Sequence, residues 1–153
     1  MKDDRCWHCG NPVNRKGAYF CSDRCRYKYN HSGPLILTLK KQWFDMIVSG
    51  VKTEEYRVMK PYWEKRFSNY FGQYYDFDTK VEADPPYPAI VWNKQKKIVI
   101  FRNGYGSNVP EFSAEVTIRE DVGNPEWGAE PGEKYYVLTI HKIYNFKNMI
   151  RNN

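Results

Sequence analysis

All four cysteines of the chain fall in its first 25 residues, as Cys6-Trp7-His8-Cys9 and Cys21-Ser22-Asp23-Arg24-Cys25. A C-x2-C pair followed, after eleven intervening residues, by a C-x3-C pair has the spacing of a metal site. Two short hooks each present two thiolates, and four thiolates make the closed tetrahedral set that structural zinc prefers. The spacing predicts a small metal-stapled head, with Cys6, Cys9, Cys21 and Cys25 as ligands and zinc as the ion. It leaves a larger body that must build its own core.

Two disulfides are the competing use of four clustered cysteines, and they need an oxidising compartment. The stretch MKDDRCWHCG has no apolar run of the kind a signal peptide needs, so a reducing, cytoplasmic setting is expected. A rubredoxin-like iron site is the less favoured metal, because its second pair is normally also C-x2-C. Gly10 permits the tight turn of a zinc knuckle. Ser22 and Asp23 can cap a helix that puts Cys21 and Cys25 one turn apart. Knuckle plus helix start is a treble-clef arrangement, and AYFCSDRCRYKYN resembles the small TRASH-like and gyrase-inhibitor-type zinc fingers. His8 and His31 read as bystanders, since four cysteines already close the site.

Residues 1–33 carry seven Lys/Arg against three Asp, and residues 34–153 carry seventeen against fifteen acids, so the head is the more basic part. Together with an aromatic fraction of 17%, this favours a nucleic-acid partner, since cations meet phosphates and rings stack on unpaired bases. So much ring surface argues against disorder, and no apolar run reaches the roughly 18 residues of a membrane span. No membrane partner is expected.

His31-Ser32-Gly33-Pro34 is read as the hinge between a finger, residues 1–33, and a second domain, residues 34–153. Beyond it Leu35 to Lys40 is strand-like, and Lys41 to Ser49 reads as a helix with Trp43, Met46 and Ile47 on one side and Gly50 as its stop. Lys52 to Val58 is extended. Pro61 opens a second helix bearing Trp63, Phe67 and Phe71 at four-residue spacing. Residues 76–89 read as a long acidic, proline-bearing loop. Ile90–Trp92 and Lys97–Arg102 give a hairpin signal. Phe112, Ala114, Val116 and Ile118 mark an alternating strand, and Tyr135 to His141, extended by Ile143-Tyr144, marks another. The fold class is α+β, a small barrel with helices at its ends.

Three segments could carry chemistry. In Ser49 to Arg57, Lys52 and Arg57 bracket Glu55: a desolvated lysine can act as base or nucleophile, and an arginine can clamp a carbonyl or phosphate. In Phe101 to Gly106, an Asn-Gly turn ends a strand and projects Arg102, Asn103 and Tyr105, tools for reading the edge and face of a base. In Gly123 to Ala129, Trp127 is either a core plug or a stacking platform. Each segment also has a plain reading, as a solvated charged strand, a hairpin turn with a packed tyrosine, or core.

LILTLKKQWFDMIVSGVKTEEYR, then FRNGYG, then GNPEWGAEPGEKYYVLTI, over about residues 34–147, resembles the ASCH domain of the PUA-like superfamily, especially its short phage and bacterial forms. The helix-G-x-K-T-x-x-Y-R element is the specific part. The resemblance implies a PUA-like β-barrel with a cleft for RNA or a nucleotide, Lys52, Thr53 and Arg57 at its mouth and the Arg102 to Tyr105 loop facing them. Some members are amidohydrolases that deacylate N4-acetylcytidine with a Lys, a Thr and a Glu, and others are ribonucleases. The lysine carries over to Lys52. The threonine position falls on Glu55, where this chain departs, and the family glutamate lies in a region that does not align.

The expected function is therefore binding of nucleic acid, RNA before DNA, or of a modified nucleotide. Lys40, Lys52, Arg57, Arg102 and Asn103 would hold phosphate and base, with Thr53 at the mouth. Tyr56, Tyr105 or Trp127 would stack, and the finger would add a basic contact. The alternative is a hydrolase acting on N4-acylated cytidine or RNA through Lys52 and Glu55.

Overall fold

The computed structural model describes residues 5–6, 8–9, 11–14, 16–31 and 33–149, with the side chains at 30 and 31 left aside. The turn assigned to Gly10, the Ser32 part of the hinge and the His31 side chain fall outside them.

The body is built on a five-stranded sheet. Its strands are β1 (Leu35–Leu39), β2 (Glu54–Val58), β5 (Lys97–Asn103), β6 (Glu111–Val122) and β7 (Lys134–Lys147), in the order β1-β5-β6-β7-β2. β1 runs parallel to β5, and the other pairings are antiparallel. β6 and β7 are long and carry register shifts, at Glu111/Ser113 and Glu115/Val116. Such irregularities raise local twist, and here the sheet curls into a half-barrel. The small barrel expected from the sequence is thus seen as a half-barrel whose end strands, β1 and β2, share no ladder.

The core fills the curl. Leu35, Leu37 and Leu39 point inward from β1 at period two, Val99 and Phe101 from β5, and Phe112, Ala114, Val116 and Ile118 from β6. Ser113, expected on the wet face, is buried as well. Two helices close the hollow side. α2 (Lys41–Val48) contributes Phe44 and Ile47, with Val48 packed beside them. The buried stripe at i, i+3 and i+4 thus runs through Phe44, not Trp43, which lies at its margin only half-buried. α3 (Pro61–Phe71) starts at its proline and buries Phe67 and Phe71, with Trp63 stacked on Phe67 at 5.3 Å, as its four-residue spacing predicts. Each fully buried ring of this kind contributes about 1.5–3 kcal/mol.

Residues 76–89 are not a loop. β3 (Gln73–Val81) and β4 (Tyr87–Trp92) form a separate two-stranded hairpin. Its acidic residues serve a bulge, where Asp76 accepts from Asp78 N and Thr79 Oγ1. The hairpin expected between Ile90–Trp92 and Lys97–Arg102 does not form, because Ile90–Trp92 pairs with β3 and β5 pairs with β1 and β6. Among the described residues no helix is long and apolar enough to cross a membrane.

In the head, Cys6 N donates to Asn11 O at 2.8 Å and Arg5 bridges Pro12, closing a tight turn. α1 (Asp23–His31) follows the second cysteine pair, and Ser22 Oγ accepts from Cys25 N at 3.1 Å as its N-cap. The head touches the body where Tyr29 Oη donates to Lys65 O and where Arg5 lies over the Tyr62 ring.

Candidate functional site

The four cysteines form one cluster. Their sulfurs all lie within 4.8 Å of one another, with Cys9 to Cys21 at 3.6 Å and Cys21 to Cys25 at 3.5 Å, and none is in a disulfide. A tetrahedral ion held by four thiolates at about 2.3 Å sets neighbouring sulfurs about 3.8 Å apart, so the donor set fits a metal. His8 is not one of the four and faces the hollow between head and body.

The second site lies at the open seam of the half-barrel. There β1 and β2 are bridged by a side chain: Arg57 Nη2 on β2 donates to the Thr38 carbonyl on β1 at 3.0 Å. A cleft of about 650 Å³ opens beside this bridge, within the range of small-molecule sites. Lys40, Glu55, Tyr56, Arg57, Asn103, Tyr105 and Trp127, seven of the residues singled out from the sequence, line it.

Lys52 is beneath the floor, not at the mouth. Its backbone N–H is tied to Met46 O of α2, and its side chain has no solvent exposure. The ammonium donates to Glu55 Oε1 at 2.8 Å and to the Glu54 carbonyl, between the rings of Trp43 and Tyr56 at 5.6 and 5.2 Å. Burial pulls its pKa below the ordinary lysine value, and the Glu55 carboxylate opposes that pull. Glu55 also accepts from Arg57 Nη1, and the Arg57 guanidinium lies over Trp63. Two basic side chains, Lys52 and Arg57, thus flank the Glu55 carboxylate at the floor of the cleft.

A second network holds the wall. Tyr56 Oη donates to Glu54 Oε1 at 2.8 Å and accepts from Asn124 N at 2.9 Å, and Glu54 Oε2 accepts from Arg119. Burial first, then the Glu54 acceptor, pushes the Tyr56 hydroxyl up to about 12. Trp127 closes a 3₁₀ turn (Pro125–Trp127) capped by Asn124 Oδ1, and it packs on the cluster of Tyr56, Ala129, Tyr135 and Val137 while lining the cleft. It is thus part plug and part cleft wall.

Besides Lys52, two further predicted residues, Thr53 and Arg102, do not line the cleft. Thr53 lends its carbonyl to Ile140 N, which fixes the chain there to β7, and its side chain is exposed elsewhere. Arg102 turns back on its own loop, donating to Gly106 O and facing Glu111, its cross-strand neighbour. It braces the turn that presents Asn103 and Tyr105 instead of reaching into the cleft.

Trp43, Lys41, Glu130 and Tyr135 also line the cleft and were not picked out as site residues. Trp43 had a signal: with Phe44, Ile47 and Val48 as the buried stripe, a neighbouring indole falls at its edge. The close fit of Gly128 to Trp43 had none, since a Cβ there would come within 2.9 Å of the indole.

No protein-family model matches this chain, and no curated protein or solved structure is significantly similar to it.

Proposed function

We propose that this chain is a PUA-like, ASCH-type domain that binds a nucleotide, either within RNA or as a free modified nucleotide, in the seam cleft, and that its four cysteines hold a structural zinc. What carries the reading is one observation: Lys40, Lys41 and Arg57 line a single hollow together with Trp43, Tyr56, Tyr105, Trp127 and Asn103, with Lys40 and Lys41 exposed. Rings offer stacking for a base, the amide offers a donor and an acceptor for its edge, and Lys40 and Arg57 suit a phosphate. Four thiolates leave a zinc no open position, so zinc here would hold the head together and take no part in a reaction.

Titration calorimetry with cytidine 5′-monophosphate and a short oligouridylate tests this. Saturable binding is expected, and Trp127→Ala should weaken it by the equivalent of about 1–3 kcal/mol, as for loss of one stacking ring. No binding, or binding indifferent to Trp127→Ala and to salt, would refute it.

A second reading, hydrolysis of an acyl group from N4-acylated cytidine, has the buried Lys52–Glu55 pair in its favour. Glu55 lines the cleft and could take a proton from an attacking water, with Lys52 acting only through Glu55. It predicts release of free carboxylic acid, abolished in Glu55→Gln. A fully active Glu55→Gln protein would exclude it.

A further inference from the structure

The seam opens on two sides. Thr38, Arg57 and Tyr105 line both the cleft and a second hollow of about 760 Å³ between the head and the body. The two differ in charge. The cleft has Glu55 and Glu130 in its lining, whereas the second hollow has no Asp or Glu among the described residues and receives Arg5, Arg57 and Arg66. Arg66 donates to a hydroxyl, Tyr62 Oη, at 2.9 Å and lies over the Tyr62 and Trp63 rings, both at 5.7 Å. No carboxylate is ion-paired with it among the described residues. Tyr105, at the tip of the β5–β6 turn and 90% exposed, stands where the two hollows meet.

Arg66, with no carboxylate ion-paired to it among the described residues and set beside the rings of Tyr62 and Trp63, suits a phosphate of a polyanion with unstacked bases. A mononucleotide would use the cleft alone and would not reach Arg66, which lines only the second hollow. A duplex would hide the base faces that Tyr105 and the cleft rings could meet.

We infer that the ligand is a single-stranded oligonucleotide lying along the seam, one base in the cleft and a neighbouring phosphate in the second hollow against Arg66 and Arg57. Tyr105 stacks on the base between them, and the head forms the far bank of the track. This rests on the reading of the cleft as a base pocket.

The test is fluorescence anisotropy of a labelled oligouridylate of about eight nucleotides, with oligothymidylate alongside, between about 50 and 200 mM salt. Calorimetry with uridine 5′-monophosphate reports the cleft alone. The oligomer should bind more tightly than the monophosphate. Arg66→Glu should weaken the oligomer about tenfold at low salt and lower its salt slope by about one, leaving the monophosphate unchanged, while Arg66→Lys keeps most of the affinity. Arg66→Ala, with a thermal melt, serves if the glutamate variant unfolds, and the same direction is expected. Saturable binding of either sugar type supports the inference. An oligomer no tighter than the monophosphate, one indifferent to Arg66, or a duplex bound equally well overturns it and leaves the cleft reading standing. Failure of monophosphate and oligomer alike sinks both.

Discussion

The Lys52 ammonium lies 2.8 Å from Glu55 Oε1 with both side chains shut away from solvent, beneath a cleft that Glu55 itself lines. Removing one partner of a buried pair leaves an uncompensated charge, at a cost of about 3–5 kcal/mol. Glu55→Ala strands two cations and Lys52→Met removes only one, so urea unfolding should show the larger loss for Glu55→Ala. The double variant should recover part of it. Additive losses would show that the pair is uncoupled.

Alkaline pH should unfold the chain through its buried phenols. Burial raises Tyr56 to about 12, and burial with Glu64 and Glu120 nearby raises Tyr136 to about 12, against an ordinary value of 10.0. The folded state keeps these protons while the unfolded chain loses them, so their contribution is whole below pH 10 and falls away from 10 to about 12. Lys52, held below 10.5 by burial, acts in the opposite sense: its penalty is relieved as pH rises to that value. Urea midpoints measured across this range should fall above pH 10, and Tyr56→Phe should flatten part of the fall.

Gly128 has φ +101 and would bring a Cβ within 2.9 Å of the Trp43 indole. Gly128→Ala is therefore both strained and overpacked, and a loss of about 1–3 kcal/mol is expected in thermal or urea unfolding. Because the indole lines the cleft, ligand affinity should fall as well. Gly132, at φ +79 with open space around it, is the control: Gly132→Ala should lower stability by a smaller amount and leave affinity unchanged.

Purified protein should carry one zinc per chain, released by a thiol-modifying reagent and lost in Cys25→Ser. The main core draws its residues from 35 onward, so metal loss should unfold the head and leave most of the body's β circular dichroism in place. Cooperative loss of the whole fold on chelation would contradict that division.

The parts of this structure legible in the sequence are those set by local spacing. The two cysteine pairs, the Pro61 helix start, the four-residue recurrence of Trp63, Phe67 and Phe71, and the alternation of Phe112, Ala114, Val116 and Ile118 all depend on neighbours within a turn or a pleat. What escaped depends on partners far along the chain. Ile90–Trp92 and Lys97–Arg102 look like each other's hairpin, yet β5 pairs in parallel with β1, some sixty residues away by register from Leu35 to Val99. Residues 76–89 read as loop because an exposed hairpin has no buried face to impose alternation. In the site, Glu55, Tyr56 and Arg57 could be picked out from their types and crowding. Thr53 is fixed by a long-range bond to Ile140 of β7, whereas Lys52 and Arg102 are turned by short-range bonds to Met46 of α2 and to Gly106, whose geometry residue types alone do not specify.

The most direct test of the central claim is a nitrogen–proton NMR titration that follows the tryptophan indoles as reporters fixed in place. Trp43 and Trp127 line the cleft, Trp63 lines the second hollow, and Trp92 is buried and bonded to Glu120. Cytidine 5′-monophosphate is predicted to shift Trp43 and Trp127 saturably while Trp63 and Trp92 stay still, and a short oligouridylate should move Trp63 too. Unmoved Trp43 and Trp127 signals at saturating nucleotide, or shifts as large at Trp92, would contradict a nucleotide site at the seam.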